Sequence, residues 1–177
     1  CFYLNSVYDV TGYLADKAGK TMLYEQYYVD PREVAVTSAE GGKNLIYIYL
    51  ESMETTYASV AAGGRQETNY IPNLTRLAEE NVSFSDSDRL GGFHCDSGTG
   101  ITMAAIWAST TGTVYSPGVA EGEKMAPGII TLGDMLGRMG YRQEFLCGSD
   151  GDFGGRKDYF EQHGNFQVLD LYAARER

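Results

Sequence analysis

The pattern of apolar positions sharpens at Asn44. Asn44-Leu-Ile-Tyr-Ile-Tyr-Leu50 is a continuous apolar run rich in β-branched and aromatic residues, which predicts a strand buried on both faces of a parallel sheet. Ile71–Glu80 has Pro72 in a first turn and Leu74, Leu77 and Ala78 at spacings of three and four, the signature of a helix. Val82-Ser-Phe84 predicts the next short strand, so strand, crossover helix and strand follow as a βαβ unit. The glycine-rich stretch Leu90–Gly100 then opens into the alanine-rich Ile101–Ser109, a predicted helix with Thr102 near its amino terminus. Thr131-Leu-Gly-Asp134 has the spacing of a capping box with Asp in place of Glu. Leu132, Met135, Leu136 and Met139 continue it as the stripe of a core helix that stops at Gly140. Gln143–Cys147 predicts another strand, and Gly148–Arg156 the loop at its carboxyl end.

Before Asn44 the polarity is mixed and tyrosines are frequent. With Pro31 and the Gly41-Gly42 pair as punctuation, residues 1–43 read as a lead-in to a domain over 44–177. The 177 residues are 43% hydrophobic, which supplies the core of one α/β domain. The start at Cys1 and the charged end at Arg177 read as cuts, so the chain is taken as a fragment. No stretch approaches the roughly 20 apolar residues that span a bilayer. A formal net charge of −10 excludes a general nucleic-acid binder, and an anionic ligand requires a local positive site instead. Cys1, Cys95 and Cys147 form no CxxC pattern. They are expected as unpaired buried thiols, with a single bridge as the alternative.

Walker A, dinucleotide-loop, HExxH and Gly-x-Ser-x-Gly patterns are all missing, and neither His94 nor His163 has a convincing nucleophilic serine beside it. Three residues stand out by placement. Glu51 follows the first apolar run, at the carboxyl end where open α/β sheets gather ligands. Thr102 opens a helix, where free N–H groups and the helix dipole favour an anion. Arg156 lies in the loop after a later strand. Taken alone, Glu51 also reads as a solvated loop acid and Thr102 as an ordinary threonine in a capping turn.

Taken together, Leu50-Glu-Ser52, Pro72-Asn-Leu74 and Gly98-Thr-Gly-Ile-Thr102, in that order, resemble the lipoteichoic acid synthases and related phosphoglycerol transferases of the alkaline phosphatase and sulfatase superfamily. The resemblance implies an alkaline phosphatase-like parallel-sheet α/β sandwich, present here as the N-terminal half of the catalytic domain. It assigns a divalent metal, Mn²⁺ or Mg²⁺, to Glu51 and Thr102, with Thr102 as nucleophile, because a threonine hydroxyl is not ionised at neutral pH without such help. Phe153-Gly-Gly-Arg156 fits the family's head-group segment, so Arg156 and Phe153 are expected to bind substrate, and His94 is a further candidate. Gly154 departs from the aromatic residue that lipoteichoic acid synthases commonly carry there. The family completes its metal site with a downstream Asp-His pair that this chain lacks, which predicts weak metal binding and no turnover from the fragment alone.

The implied reaction moves glycerol phosphate from phosphatidylglycerol to a polymer or glycan acceptor through a phosphothreonine, on the outer face of the cell membrane, with transmembrane helices upstream of residue 1. The alternatives are a phosphodiesterase or sulfatase on the same fold, and a non-catalytic binding module.

Overall fold

A computed structural model of the chain describes residues 11–12, 22, 26–36, 42–85, 89–92, 99–115 and 125–176. The chain divides into two compact units, Cys1–Val36 and Thr37–Arg177. In the first, Pro31–Glu33 forms one 3-10 turn, capped by Asp30, whose carboxylate accepts from the Arg32 backbone N–H and pairs with the Arg32 guanidinium.

The second unit is built on helices α1 (Pro72–Glu80), α2 (Thr102–Thr111) and α3 (Leu132–Arg138), then strand β1 (Glu144–Leu146), helix α4 (Arg156–Gln162), strand β2 (Gln167–Leu169) and a last short helix α5 (Leu171–Arg175). β1 and β2 pair in parallel, with Phe145 opposite Val168, and α4 lies on the crossover between them. Among the described residues no helix is long and apolar enough to cross a membrane.

The core lies between α2 and α4. Met103, Ile106 and Trp107 of α2 meet Tyr159 and Phe160 of α4 together with Met125. Phe160 stacks on Phe145 of β1 with ring centroids 4.0 Å apart, which ties the helix to the strand. α2 ends at Gly112, whose φ of 68° sets it in the left-handed region as its N–H reaches the Ala108 carbonyl at 2.9 Å.

Several sequence expectations hold. α1, α2, α3 and β1 form where the periodicity puts them, and the capping box is complete. The Thr131 hydroxyl accepts from the Asp134 N–H, and the Asp134 carboxylate accepts from the Thr131 N–H at 2.9 Å. Thr131 is 1% exposed, so Thr131→Ala leaves the Asp134 N–H without its acceptor in a buried place. That variant is expected to cost about 1–2 kcal/mol, read as a lower midpoint in urea, while Thr131→Ser is expected to recover most of the loss. Close approach fixes Gly133: a Cβ there would lie 2.6 Å from Phe166 and 2.7 Å from the His163 carbonyl oxygen.

Other expectations are corrected. Leu45–Leu50 belongs to no strand, and Ile46 and Ile48 are 81% and 70% exposed. Val82–Phe84 is likewise outside any strand and exposed. A strand covered on both faces needs sheet neighbours and helices over it, and the one sheet among the described residues does not include either run. The βαβ unit is instead β1-α4-β2. The predicted core stripe of α3 is only half-buried at Leu132, Met135 and Leu136, and Met139 is exposed. Cys147 is a free, half-buried thiol; Cys1 and Cys95 lie outside the described residues.

Candidate active site

The segment before Glu51 is steered by one aromatic residue. Tyr49 packs on the core, and its hydroxyl lies 2.9 Å from Ser109 Oγ of α2. Ser109 has one proton, which it gives to the Ala105 carbonyl at 2.7 Å, so Tyr49 is the donor to Ser109. Burial pushes the Tyr49 phenol well above its usual range, although the Ser109 hydrogen bond opposes the rise. Tyr49 is therefore a neutral donor at any physiological pH.

Two residues on, the chain turns. The Met53 N–H meets the Leu50 carbonyl at 3.4 Å, and Ser52 sits at φ 55°, a left-handed conformation that a serine adopts at some cost. This turn brings Glu51 back to the start of α2. The Thr102 hydroxyl donates to Glu51 Oε2 at 2.6 Å, across 51 residues of sequence. Thr102 is the first residue of α2, so its backbone N–H belongs to the group of donors that no helical carbonyl satisfies. Glu51 is exposed and Thr102 half-buried, which leaves the pair open to a ligand.

The loop after β1 closes on the same helix end. Gly154 and Gly155 have φ of 70° and 75°, and a Cβ on Gly154 would lie 4.0 Å from Met103, the neighbour of Thr102. An aromatic residue at 154 would be strained in this backbone, which gives the departure at that position a physical basis. Arg156 begins α4 and curls back over its own loop. Its Nε donates to the Phe153 carbonyl at 2.9 Å, and Nη2 donates to Ser149 Oγ at 3.0 Å and the Asp150 carbonyl at 2.7 Å. The guanidinium carbon lies 5.5 Å from the centre of the exposed Phe153 ring. These contacts fix the fork and leave the Nη1 pair of donors for a ligand.

Asp170, at the carboxyl end of β2, anchors that loop. Its carboxylate accepts from the N–H groups of Ala173, Gly151 and Tyr172, bonds that hold it below the usual carboxylate range against the opposing effect of burial. Tyr49, Ser149 and Asp170 carry no signal in the sequence, because each acts through a backbone or hydroxyl contact that no spacing encodes. His94 lies outside the described residues.

Comparison with known proteins adds an independent line. Over 157 residues, 85% of this chain, it is 34% identical to phosphoglycerol transferase I of Salmonella choleraesuis and to phosphoglycerol transferase I of Salmonella arizonae. Over 165 residues it is 28% identical to phosphoglycerol transferase I of Xanthomonas campestris. These similarities support the phosphoglycerol transferase family for this chain. It spans about a fifth of the length of these relatives, 18% of the Salmonella proteins and 22% of the Xanthomonas one. No family model matches the chain, and no solved structure matches it.

The donor set at Glu51 and Thr102 can be tested against a hard divalent cation. Both are oxygen donors, and their 2.6 Å separation is near the edge, about 3 Å, of an octahedron with bonds of about 2.1 Å. The pair fits such an ion in kind. It falls short in number, since no group of three or more His, Cys, Asp or Glu residues able to hold a metal occurs among the described residues.

Proposed function

We propose that the protein carrying this chain transfers glycerol phosphate from phosphatidylglycerol to a polymer or glycan acceptor, with Thr102 as the nucleophile. The observation that carries this reading is the 2.6 Å hydrogen bond from Thr102 to Glu51 at the amino end of a buried helix. The similarity of the chain to phosphoglycerol transferases I supports it.

Glu51 and Thr102 would hold a divalent ion, Mn²⁺ or Mg²⁺, together with ligands from elsewhere in the protein. When bound, that ion supplies positive charge that eases deprotonation of the threonine and offsets charge on the phosphoryl oxygens. The chain's own residues do the rest. Glu51 Oε2 receives the hydrogen bond of the Thr102 hydroxyl and so aims the oxygen. The amino end of α2 favours the anionic phosphate next to it. Arg156 faces the phosphate with its free Nη1 edge.

Thr102 Oγ forms a bond to phosphorus as the bond from phosphorus to the diacylglycerol oxygen breaks, and that oxygen takes up a proton. A hydroxyl of the acceptor then displaces the threonine oxygen, which recovers its proton. The reaction is proposed for the outer face of the membrane, where a lipid head group and a cell-envelope acceptor are both within reach.

The decisive experiment incubates the complete protein with phosphatidylglycerol labelled in its head group, an acceptor glycan and Mn²⁺. Label on the acceptor with release of diacylglycerol supports transfer; label only in free glycerol phosphate makes the protein a hydrolase, and no turnover favours a binding module. Arg156 gives a second check. Arg156→Lys keeps the charge but loses the fork that both holds the loop and faces substrate. Its KM for phosphatidylglycerol is expected to rise by about tenfold with kcat changed less, measured by initial rates on lipid vesicles.

A further inference from the structure

His163 closes α4 at 5% exposure, and both ring nitrogens face oxygens that only accept. Nδ1 lies 3.1 Å from Asp134 Oδ2, and Nε2 lies 2.7 Å from the Met125 carbonyl oxygen. A neutral imidazole has one N–H and can serve only one of them, whereas an imidazolium serves both. Burial pulls the His163 pKa down, but the hydrogen bonds to Asp134 and Met125 outweigh it, and the net shift is upward. For Asp134, burial is outweighed by the bonds from His163 and Thr131, and its carboxyl is held below the usual range. The other ionisable group against the ring is Tyr159, on the same helix; burial pushes it up to about 12, so it stays neutral. Among the described residues, the segment from Met125 meets the ring through its carbonyl and α3 through Asp134.

Met125 is held at both sides. Its N–H donates to Gln162 Oε1 at 2.9 Å and its carbonyl accepts from His163. Its side chain, 5% exposed in the core, lies under the loop of Arg156: a Cβ on Gly155 would meet Met125 Cε at 3.6 Å and Sδ at 3.7 Å. We infer that His163 is a positioning residue which, as an imidazolium bridging Asp134 and Met125, seats Met125 beneath the Gly155-Arg156 turn and thereby sets the aim of the Arg156 guanidinium. A raised folded value means that this bridge is complete below the ordinary histidine pKa of about 6.5 and is lost as pH rises through the folded value. Above it, Nδ1 or Nε2 must face an oxygen without a proton, and the Met125 carbonyl is the weaker competitor.

The link to head-group binding rests on the reading of Arg156 proposed above; the link from His163 to the turn does not. In the complete protein with methyl-labelled methionine, the Met125 methyl signal is expected to shift with pH at the same midpoint as the His163 ring. KM for phosphatidylglycerol is expected to rise about tenfold through that midpoint, with kcat nearly constant. Asp134→Asn is expected to move both midpoints to lower pH, and His163→Gln to remove the pH dependence of KM. A Met125 methyl that stays still while His163 titrates overturns the inference, as does a KM break that survives in His163→Gln. Coupled titration in a protein that transfers nothing supports the positioning of the turn and sinks only the head-group reading.

Discussion

Thr102→Ala in the complete protein is expected to lower phosphoglycerol transfer by on the order of 10⁴-fold or more, the scale on which removal of a covalent nucleophile acts. The hydroxyl is the attacking atom of the proposed reaction, and it is already held at 2.6 Å from Glu51. Thr102→Ser keeps an oxygen at the same place and is expected to retain measurable turnover. Glu51→Gln keeps an acceptor for the hydroxyl but removes the charge that a divalent ion requires, so its activity is expected to recover in part at high Mn²⁺. The measurement is transfer of labelled glycerol phosphate, paired with mass analysis of the peptide containing Thr102 for a glycerophosphoryl adduct. An alanine variant with more than about a hundredth of the wild-type rate would remove Thr102 as nucleophile. Alanine is a good helix former, so the first turn of α2 is expected to survive the change, and near-native circular dichroism separates lost chemistry from lost fold.

Trp107→Ala is expected to have the largest effect on stability, about 3–5 kcal/mol. The indole is fully buried on α2, with Tyr115 and Tyr159 at ring-centre distances of 6.0 and 5.7 Å. Its Nε1–H donates to Thr113 Oγ1 at 2.8 Å, so truncation opens a cavity and also removes a satisfied polar contact. Trp107→Phe separates the two effects. It refills most of the volume and is expected to cost about 1–2 kcal/mol. Denaturant midpoints measure both variants, and equal losses for Ala and Phe would show that the hydrogen bond, not the packing, dominates. Because Trp107 lies just over one turn beyond Thr102 on the same helix, a destabilised variant that still folds is also expected to bind phosphate less tightly.

The placement of α1, α2 and α3 was legible in the sequence because it follows from short-range rules, whereas α4 and α5 were not foreseen. Pro72, the Thr131–Asp134 pair and Gly140 each act within a turn of the helix they bound, so local chemistry fixes them. The strands were less legible. Leu45–Leu50 has the composition of a central strand, yet strand pairing is a relation between distant segments, and the described residues give it none. The short, less apolar Glu144–Leu146 pairs because Phe145 stacks on Phe160 and α4 returns the chain beside it.

Residue type and order along the chain were enough to point to the phosphoglycerol transferases and to Glu51, Thr102 and Arg156 as candidates. How they are held depends on contacts that exist only in the folded chain. Tyr49 on Ser109 and the left-handed Ser52 bring Glu51 to Thr102. The Gly154-Gly155 turn brings the loop that precedes Arg156 against Met103 of α2. The Asp134–His163–Met125 bridge lies below that turn. These are contacts between segments up to 60 residues apart, and they depend on distance and proton count between atoms that sequence spacing does not relate.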